Sequence, residues 1–401
     1  MPKRIICFAL GGHIATQNAS FKKLAETLEP EGYKFFGAED GFNAFETGKV
    51  YSLKHGEIPR AFAGFVSGVG RYSLNNENLE RAVDFFKKGK FDIAIGSGGD
   101  DHGKQMALLR KSLEGKVRVY VLNKTMDNDL GGKDGEDNGK APYTDFTNGF
   151  CTAVTWGVEM IRQHFAGAWT NNLPYLIGHF GRETNWVALA LAYWGLADRI
   201  IYGELPEKHP GHSVEKIHEM ILESQNRNEK KYGRRFAMIV VPEGTRISGL
   251  KHVSEDLIDP HGHHKLQPEV LVTHLKTELE KGFKMRTQNV GITYEMRNFF
   301  PAPKDLKFAE DSATVIANAI LQGEDGVESV FKIRDDCIET DVAPIEKVSE
   351  KRYASYYPNQ LINSETFEVT DKIGKYYTPL FGERKNLRHI LPKKPKIINI
   401  F

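Results

Sequence analysis

Hydrophobic residues along the chain fall into two alternating patterns. Short apolar runs at 4–10, 33–38, 91–96, 117–123, 174–180, 199–205 and 236–241 have the length and the bounding turn residues of strands. Between them, apolar residues recur every three to four positions. In 76–88, for example, Leu79, Ala82, Val83 and Phe86 fall on one helical stripe, and 146–165 and 213–231 follow the same period. The stretch 268–281 is signed at both ends, with Pro268 in its first turn and Gly282 just past its last. Strands alternating with helices predict parallel sheets joined by crossover helices, so the fold class is α/β. After about residue 336 the alternation fades, and Pro392-Lys393-Lys394-Pro395-Lys396 predicts a solvated peripheral tail.

Composition narrows this without redirecting it. At roughly 150 residues per domain, a chain of 401 residues predicts two or three domains. Hydrophobic residues at 40% supply a sizeable core, and 27% charged residues are ordinary for a globular protein. The balance of 54 basic against 53 acidic residues, +1, argues against nucleic acid or an anionic membrane surface as partner. Cys7, Cys151 and Cys337 form no C-x-x-C pair, which fits a reducing compartment and excludes a thiolate zinc site. The longest apolar stretch, 187–197, is too short to span a bilayer. The opening residues lack a cleavage-like site, so no signal peptide is expected and the localisation read is cytoplasmic.

In open parallel sheets, ligands gather in the loops beyond the carboxyl ends of strands. Loops 11–20, 96–104 and 124–129 concentrate Gly and Asp, and 181–186 carries Gly and Arg. In Gly96-Ser97-Gly98-Gly99-Asp100-Asp101-His102-Gly103-Lys104, glycines let backbone N–H groups approach an anion, while Asp100 suits a bridging divalent cation. The bland alternative is a glycine turn with an Asp helix cap. In Lys124-Thr125-Met126-Asp127-Asn128-Asp129, a carboxylate can take a proton from a hydroxyl while Lys124 offsets charge on a phosphate. The alternative there is an Asx-turn beside an exposed lysine. Arg182, beside Gly181 and read as lying at a helix N-terminus, and Arg297, after Tyr294, suit phosphate or carboxylate.

Together these residues resemble the phosphofructokinase family, and within it the pyrophosphate-dependent branch. The resemblance rests on Gly98-Gly99-Asp100-Asp101 with the 124–129 motif, and extends through Gly11-Gly12, Asp40-Gly41-Phe42, Gly70-Arg71, 145–153, Gly181-Arg182, Glu204, Glu243-Gly244 and Tyr294 to Arg297. It implies two Rossmann-like three-layer α/β/α domains with mostly parallel sheets and an active site in the cleft between them. These would be a phosphate-donor domain at 1–145, rejoined around 295–335, a sugar-phosphate domain at 146–294, and a C-terminal extension at 336–401. It further implies Mg²⁺, pyrophosphate and fructose 6-phosphate as ligands, and assembly as a homodimer or homotetramer. By the same resemblance Asp127 is the base toward the sugar 1-hydroxyl, with Thr125 beside it. Asp100 would hold the metal, with Asp129 helping to place it. Gly11, Gly12, Arg71, Asp101 and Lys124 would face the donor. Arg182 would steady the transferring group, and Phe180, Gly181, Glu204, Tyr294, Arg297 and Arg286 would face the sugar phosphate.

Members of the family that use ATP carry glycine at the positions of Asp101 and Lys124. A carboxylate about 4 Å from a nucleotide phosphate, at an effective dielectric of about 20, would repel it by about 4 kcal/mol. Lys124 instead complements a compact, highly charged pyrophosphate. Phe180 stands where methionine is common in relatives, which keeps a longer acceptor such as sedoheptulose 7-phosphate open. An ATP-dependent enzyme is the alternative within the same chemistry. A non-catalytic regulatory subunit is the alternative outside it, and retention of Asp100, Asp127, Asp129 and Arg182 speaks against that. His13 departs from the family pattern of its loop. His261, His263 and His264, near Asp256 and Asp259, read as a structural turn rather than a metal site.

Overall fold

A computed structural model describes residues 2–132, 142–182, 184–195, 197–203, 211–250, 266–334, 337–352, 361–363 and 368–383. The chain divides into two compact units. Unit 1 is built mainly from Met1–Ala153 and Arg297–Arg352, and unit 2 mainly from Val154–Leu257, His264–Met296 and Tyr353–Phe401. In chain order the strands used below are β1 (Arg4–Ala9), β2 (Lys34–Ala38), β3 (Val50–Leu53), β4 (Ile93–Gly98), β5 (Arg118–Asn123), β6 (Pro174–His179), β7 (Arg199–Ile200), β8 (His212–Ser213), β9 (Ala237–Pro242), β10 (Ile247–Ser248), β11 (Gln288–Ile292), β12 (Val327–Arg334) and β13 (Cys337–Pro344).

Among the described residues, unit 1 carries a seven-stranded sheet in the order β13-β12-β5-β4-β1-β2-β3. Its centre is parallel, and only the edges β3 and β13 run antiparallel to their neighbours. The apolar runs of the central strands are continuous rather than alternating because both faces are covered. Ile5, Cys7 and Ala9 point to one side, where they pack with Phe21, Leu24 and Leu28 of helix Gln17–Leu28 and with Ile316 and Ile320 of helix Pro303–Gln322. Ile6, Phe8 and Leu10 point to the other, against Ala82 and Phe86 of helix Leu79–Gly89 and Met106 and Leu109 of helix Asp100–Ser112. Period-two alternation along one strand thus feeds two helical layers.

Unit 2 has a four-stranded parallel sheet, β11-β6-β9-β7, covered by helices Trp186–Gly195, Val214–Tyr232 and Pro268–Phe283. A short parallel pair, β8 with β10, accompanies it. Of the expected strand at 199–205, Arg199–Ile200 forms β7 at the sheet edge beside β9, and residues 204–205 lie outside the described residues. Trp186 is fully buried and stacked on Tyr376.

Residues 336–401 were expected to form one peripheral extension; they are instead divided between the units. β13 pairs along its whole length with β12, and helix Ile345–Val348 packs on helix Asp100–Ser112. Residues from Tyr353 belong to unit 2, where helix Lys372–Phe381 packs on Trp186–Gly195. No helix among the described residues is long and apolar enough to cross a membrane. Cys7 and Cys151 are buried, and burial pushes both thiols up, so neither is a ready nucleophile.

Candidate active site

The glycine-rich loops of unit 1 converge where β1, β4 and β5 end. Leu10 donates to the carbonyl of Ser97 (2.9 Å) in β4, and Gly11 to that of Gly70 (2.8 Å), which ties the first loop to the end of β4 and to the segment at Gly70. Gly11 adopts φ +78°, a conformation that suits glycine. At Gly12 the reason is space: an added Cβ would lie 2.3 Å from Nη1 of Arg297. Lys124 is 4% exposed and donates through Nζ to the carbonyls of Leu10 (2.7 Å) and Gly12 (2.6 Å). Burial, and then Arg297 and Arg71, push its ammonium down to about 7, against the pull of Asp127. Lys124 therefore sits near its titration midpoint at neutral pH.

The aspartate loop follows directly. Lys124 donates through its backbone to Gly98 (3.3 Å), and Thr125 to Asn148 (3.1 Å). The Thr125 hydroxyl accepts from the backbone of Asp127 (3.1 Å) and donates to its Oδ2 (3.3 Å). Asn128 takes φ +58°, left-handed backbone that asparagine tolerates better than most side chains. Asp127 and Asp129 on either side of it are both buried. Asp100 and Asp101 open helix Asp100–Ser112 in its first turn, half-buried, where the helix dipole favours a carboxylate. Among the described residues no group of three or more His, Cys, Asp or Glu gathers around one point.

In unit 2, β6 ends in a tight turn. Gly181 has φ +146° and Arg182 φ +55°, and Glu243 Oε1 accepts from their backbone N–H groups at 3.4 and 3.0 Å. Gly244 donates back to the carbonyl of Arg182 (3.2 Å). Arg182 was expected at a helix N-terminus; it lies in this left-handed turn instead, four residues before helix Trp186–Gly195 begins. Phe180 meets Tyr294 edge-on, with ring centres 5.3 Å apart, and Tyr294 is 55% exposed. Arg286 is exposed. Glu204 lies outside the described residues, as do His261, His263, His264, Asp256 and Asp259.

The candidates are thus grouped unevenly. Gly11, Gly12, Arg71, Asp100, Asp101, Lys124, Thr125, Asp127 and Asp129 share unit 1, whereas Phe180, Gly181, Arg182, Arg286 and Tyr294 share unit 2. Arg297, grouped by sequence with Tyr294, falls in unit 1, where its Nε donates to Met126 Sδ (3.0 Å) and its guanidinium lies against Gly12. Sequence reading missed three supporting residues. The His102 ring lies under Gly11, 2.8 Å from where a Cβ would be. Buried Asp305 accepts from the backbone of Gly149 and Thr152 and from the Thr152 hydroxyl (2.6 Å), fixing the start of helix Phe150–Asn171. Glu243 was visible as part of a post-strand Glu-Gly pair; its turn-capping role was not. Asp305 lies 156 positions from Gly149, so no local pattern could signal it.

Comparison with known proteins bears on this arrangement. The family model described as phosphofructokinase matches residues 4–320. Pyrophosphate–fructose 6-phosphate 1-phosphotransferase of Thermotoga maritima is 26% identical over 327 residues, covering 77% of this chain and 75% of that protein. ATP-dependent 6-phosphofructokinase of Lacticaseibacillus casei is 27% identical over 275 residues, covering 67% and 77%. In fold, the chain is similar to the crystal structure of pyrophosphate-dependent phosphofructokinase from Marinobacter aquaeolei, with a TM-score of 0.75, 16% identity, and coverage of 96% and 92%. The match spans most of the chain, including every loop of unit 1 described above, and the chain belongs to the phosphofructokinase family of phosphotransferases.

Proposed function

We propose that the chain catalyses reversible, Mg²⁺-dependent transfer of a phosphoryl group from pyrophosphate to the 1-hydroxyl of fructose 6-phosphate. The observation that carries this reading is Lys124: its ammonium is buried on the carbonyls of Leu10 and Gly12, and Asp101 is half-buried in the first turn of helix Asp100–Ser112. ATP-using members of the family have glycine at both positions. Here the positions hold a cation that fits a compact polyanion and a carboxylate that repels a nucleotide's inner phosphate. Relatives named for either donor are about equally identical, so the reading rests on these two residues rather than on names.

Asp127 accepts the proton of the sugar hydroxyl as the oxygen attacks phosphorus, its Oδ2 steadied by Thr125, while the bridging P–O bond of pyrophosphate breaks and orthophosphate leaves. Binding of a polyanionic donor favours the charged form of Lys124, which then balances charge on the transferring phosphate. Mg²⁺, held by Asp100 and Asp129 together with phosphate oxygens, would supply neutralisation of the donor's charge. By the family resemblance, Arg182, Tyr294 and Arg297 would bind the sugar phosphate. Assembly as a homodimer or homotetramer belongs to the same proposal.

The decisive test crosses pyrophosphate and ATP with fructose 6-phosphate and sedoheptulose 7-phosphate in turnover assays of the purified chain. Rapid turnover with pyrophosphate and fructose 6-phosphate supports the proposal. Turnover with ATP and none with pyrophosphate sinks it, and a preference for the longer sugar transfers the acceptor assignment.

A further inference from the structure

Residues 345–352 lie outside every sequence motif of the site, yet they run alongside its aspartate loop. Gly131 donates to Val348 (3.0 Å), Gly132 to Glu350 (2.8 Å), and Arg352 to Asp129 (2.7 Å), while Leu130 bridges Lys351 in antiparallel register. Arg352 is 0% exposed. Its Nε donates to the carbonyl of Leu130 (3.0 Å) and its Nη2 to that of Asn128 (2.9 Å). The same segment reaches the donor-side helix, where a Cβ on Gly103 would lie 2.1 Å from Ser349 Oγ.

We propose that Arg352 is a positioning residue for phosphoryl transfer, its buried guanidinium fixing the backbone that carries Asp127 and Asp129. A guanidinium stays protonated and offers five donors in a rigid fork, so it can be buried only where acceptors are aimed at it. Here carbonyls of the loop itself are among those acceptors. The loop conformation solvates the charge, and the charge in turn holds the loop, including the left-handed Asn128 between the two aspartates. Lysine would bring a point charge unable to span Asn128 and Leu130 with the same geometry. This inference rests on the assignment of Asp127 and Asp129 to the reaction.

The test uses the full chain with Arg352→Lys, Arg352→Ala and, as control, Asp127→Asn. Steady-state constants for donor and sugar phosphate are measured alongside thermal midpoints. Arg352→Lys is expected to lose about tenfold in kcat, with both KM values within about threefold and a thermal midpoint close to the parent. Arg352→Ala is expected to lose about 100-fold in kcat, with partial recovery in millimolar guanidinium that the parent does not show. If Arg352→Ala fails to fold, Arg352→Lys carries the test alone. An Arg352→Lys variant with parental kcat, or a kcat loss that only tracks the unfolded fraction, overturns the proposal. Should Asp127→Asn retain kcat, the underlying assignment fails with it. Should Asp127→Asn be inactive while Arg352→Lys is unchanged, only the role of Arg352 falls.

Discussion

Two loops, each following a central parallel strand, are held in different ways. Loop 124–132 of unit 1 is held by main chain: its residues pair with 348–352, and its turn is closed by Thr125 and Arg352. At the turn of Gly181 and Arg182 in unit 2 a side chain takes part directly: one oxygen of Glu243 accepts from both backbone N–H groups, and Gly244 donates to the carbonyl of Arg182. In the first loop backbone pairing acts together with one buried guanidinium, whereas in the second a carboxylate caps two N–H groups that lose this acceptor when it is removed. The firmer loop carries the residues assigned to the chemical step, where small displacements are costly. The looser turn carries Arg182, assigned to grip substrate.

The largest effect should come from the chemistry of the firm loop. Asp127→Asn is expected to lower kcat by about 10³-fold while sugar-phosphate KM changes little, which steady-state kinetics will show. Glu243→Ala should do the opposite at the looser turn. Two N–H groups lose their acceptor at a cost of about 1–3 kcal/mol, so KM for sugar phosphate should rise about tenfold or more with a smaller change in kcat. An equal fall in kcat would erase the distinction between the loops.

Lys124 sharpens the contrast through pH. Because its ammonium titrates near 7 in the fold, kcat/KM for pyrophosphate should decline as pH rises above about 7, and Lys124→Met should remove that limb along with most of the affinity. The smallest effect concerns Glu328, fully buried, without a hydrogen-bond partner among the described residues, and pushed well above the usual carboxylate range by burial. Above the ordinary carboxylate range the unfolded chain loses this proton and the folded chain keeps it, so the group destabilises the fold as pH rises. Glu328→Gln should therefore raise the thermal midpoint by a few degrees at pH 8 and leave it unchanged at pH 4. Equal shifts at both pH values would mean that the carboxyl is not protonated in the folded state.

What the sequence made legible follows from what is local. The runs at 4–10, 91–96, 117–123 and 174–180 each became a central strand, because a strand buried on both faces writes its burial into consecutive apolar residues. The loops at their carboxyl ends were legible for the same reason, since each is one unbroken stretch of chain. The edge strand β13 was not, for its residues are exposed or only half-buried, none fully buried, and resemble a tail. Arg352 left no trace at all: the carbonyls of Asn128 and Leu130 that it meets are groups every residue has, over 200 positions away. The left-handed turn at Arg182 was hidden too, as nothing in Gly-Arg-Glu fixes the sign of φ for the arginine.

The distance between Leu130 and Arg352, 222 positions along the chain, has a meaning for synthesis as well. At about 5–20 residues per second, the aspartate loop leaves the ribosome roughly 10–45 s before the arginine that clamps it is made. During that interval the sheet of unit 1 also lacks β12 and β13, so its β5 edge is open and able to pair with other strands. The nascent chain is thus exposed to misassembly at an edge that the finished fold closes with β12 and β13.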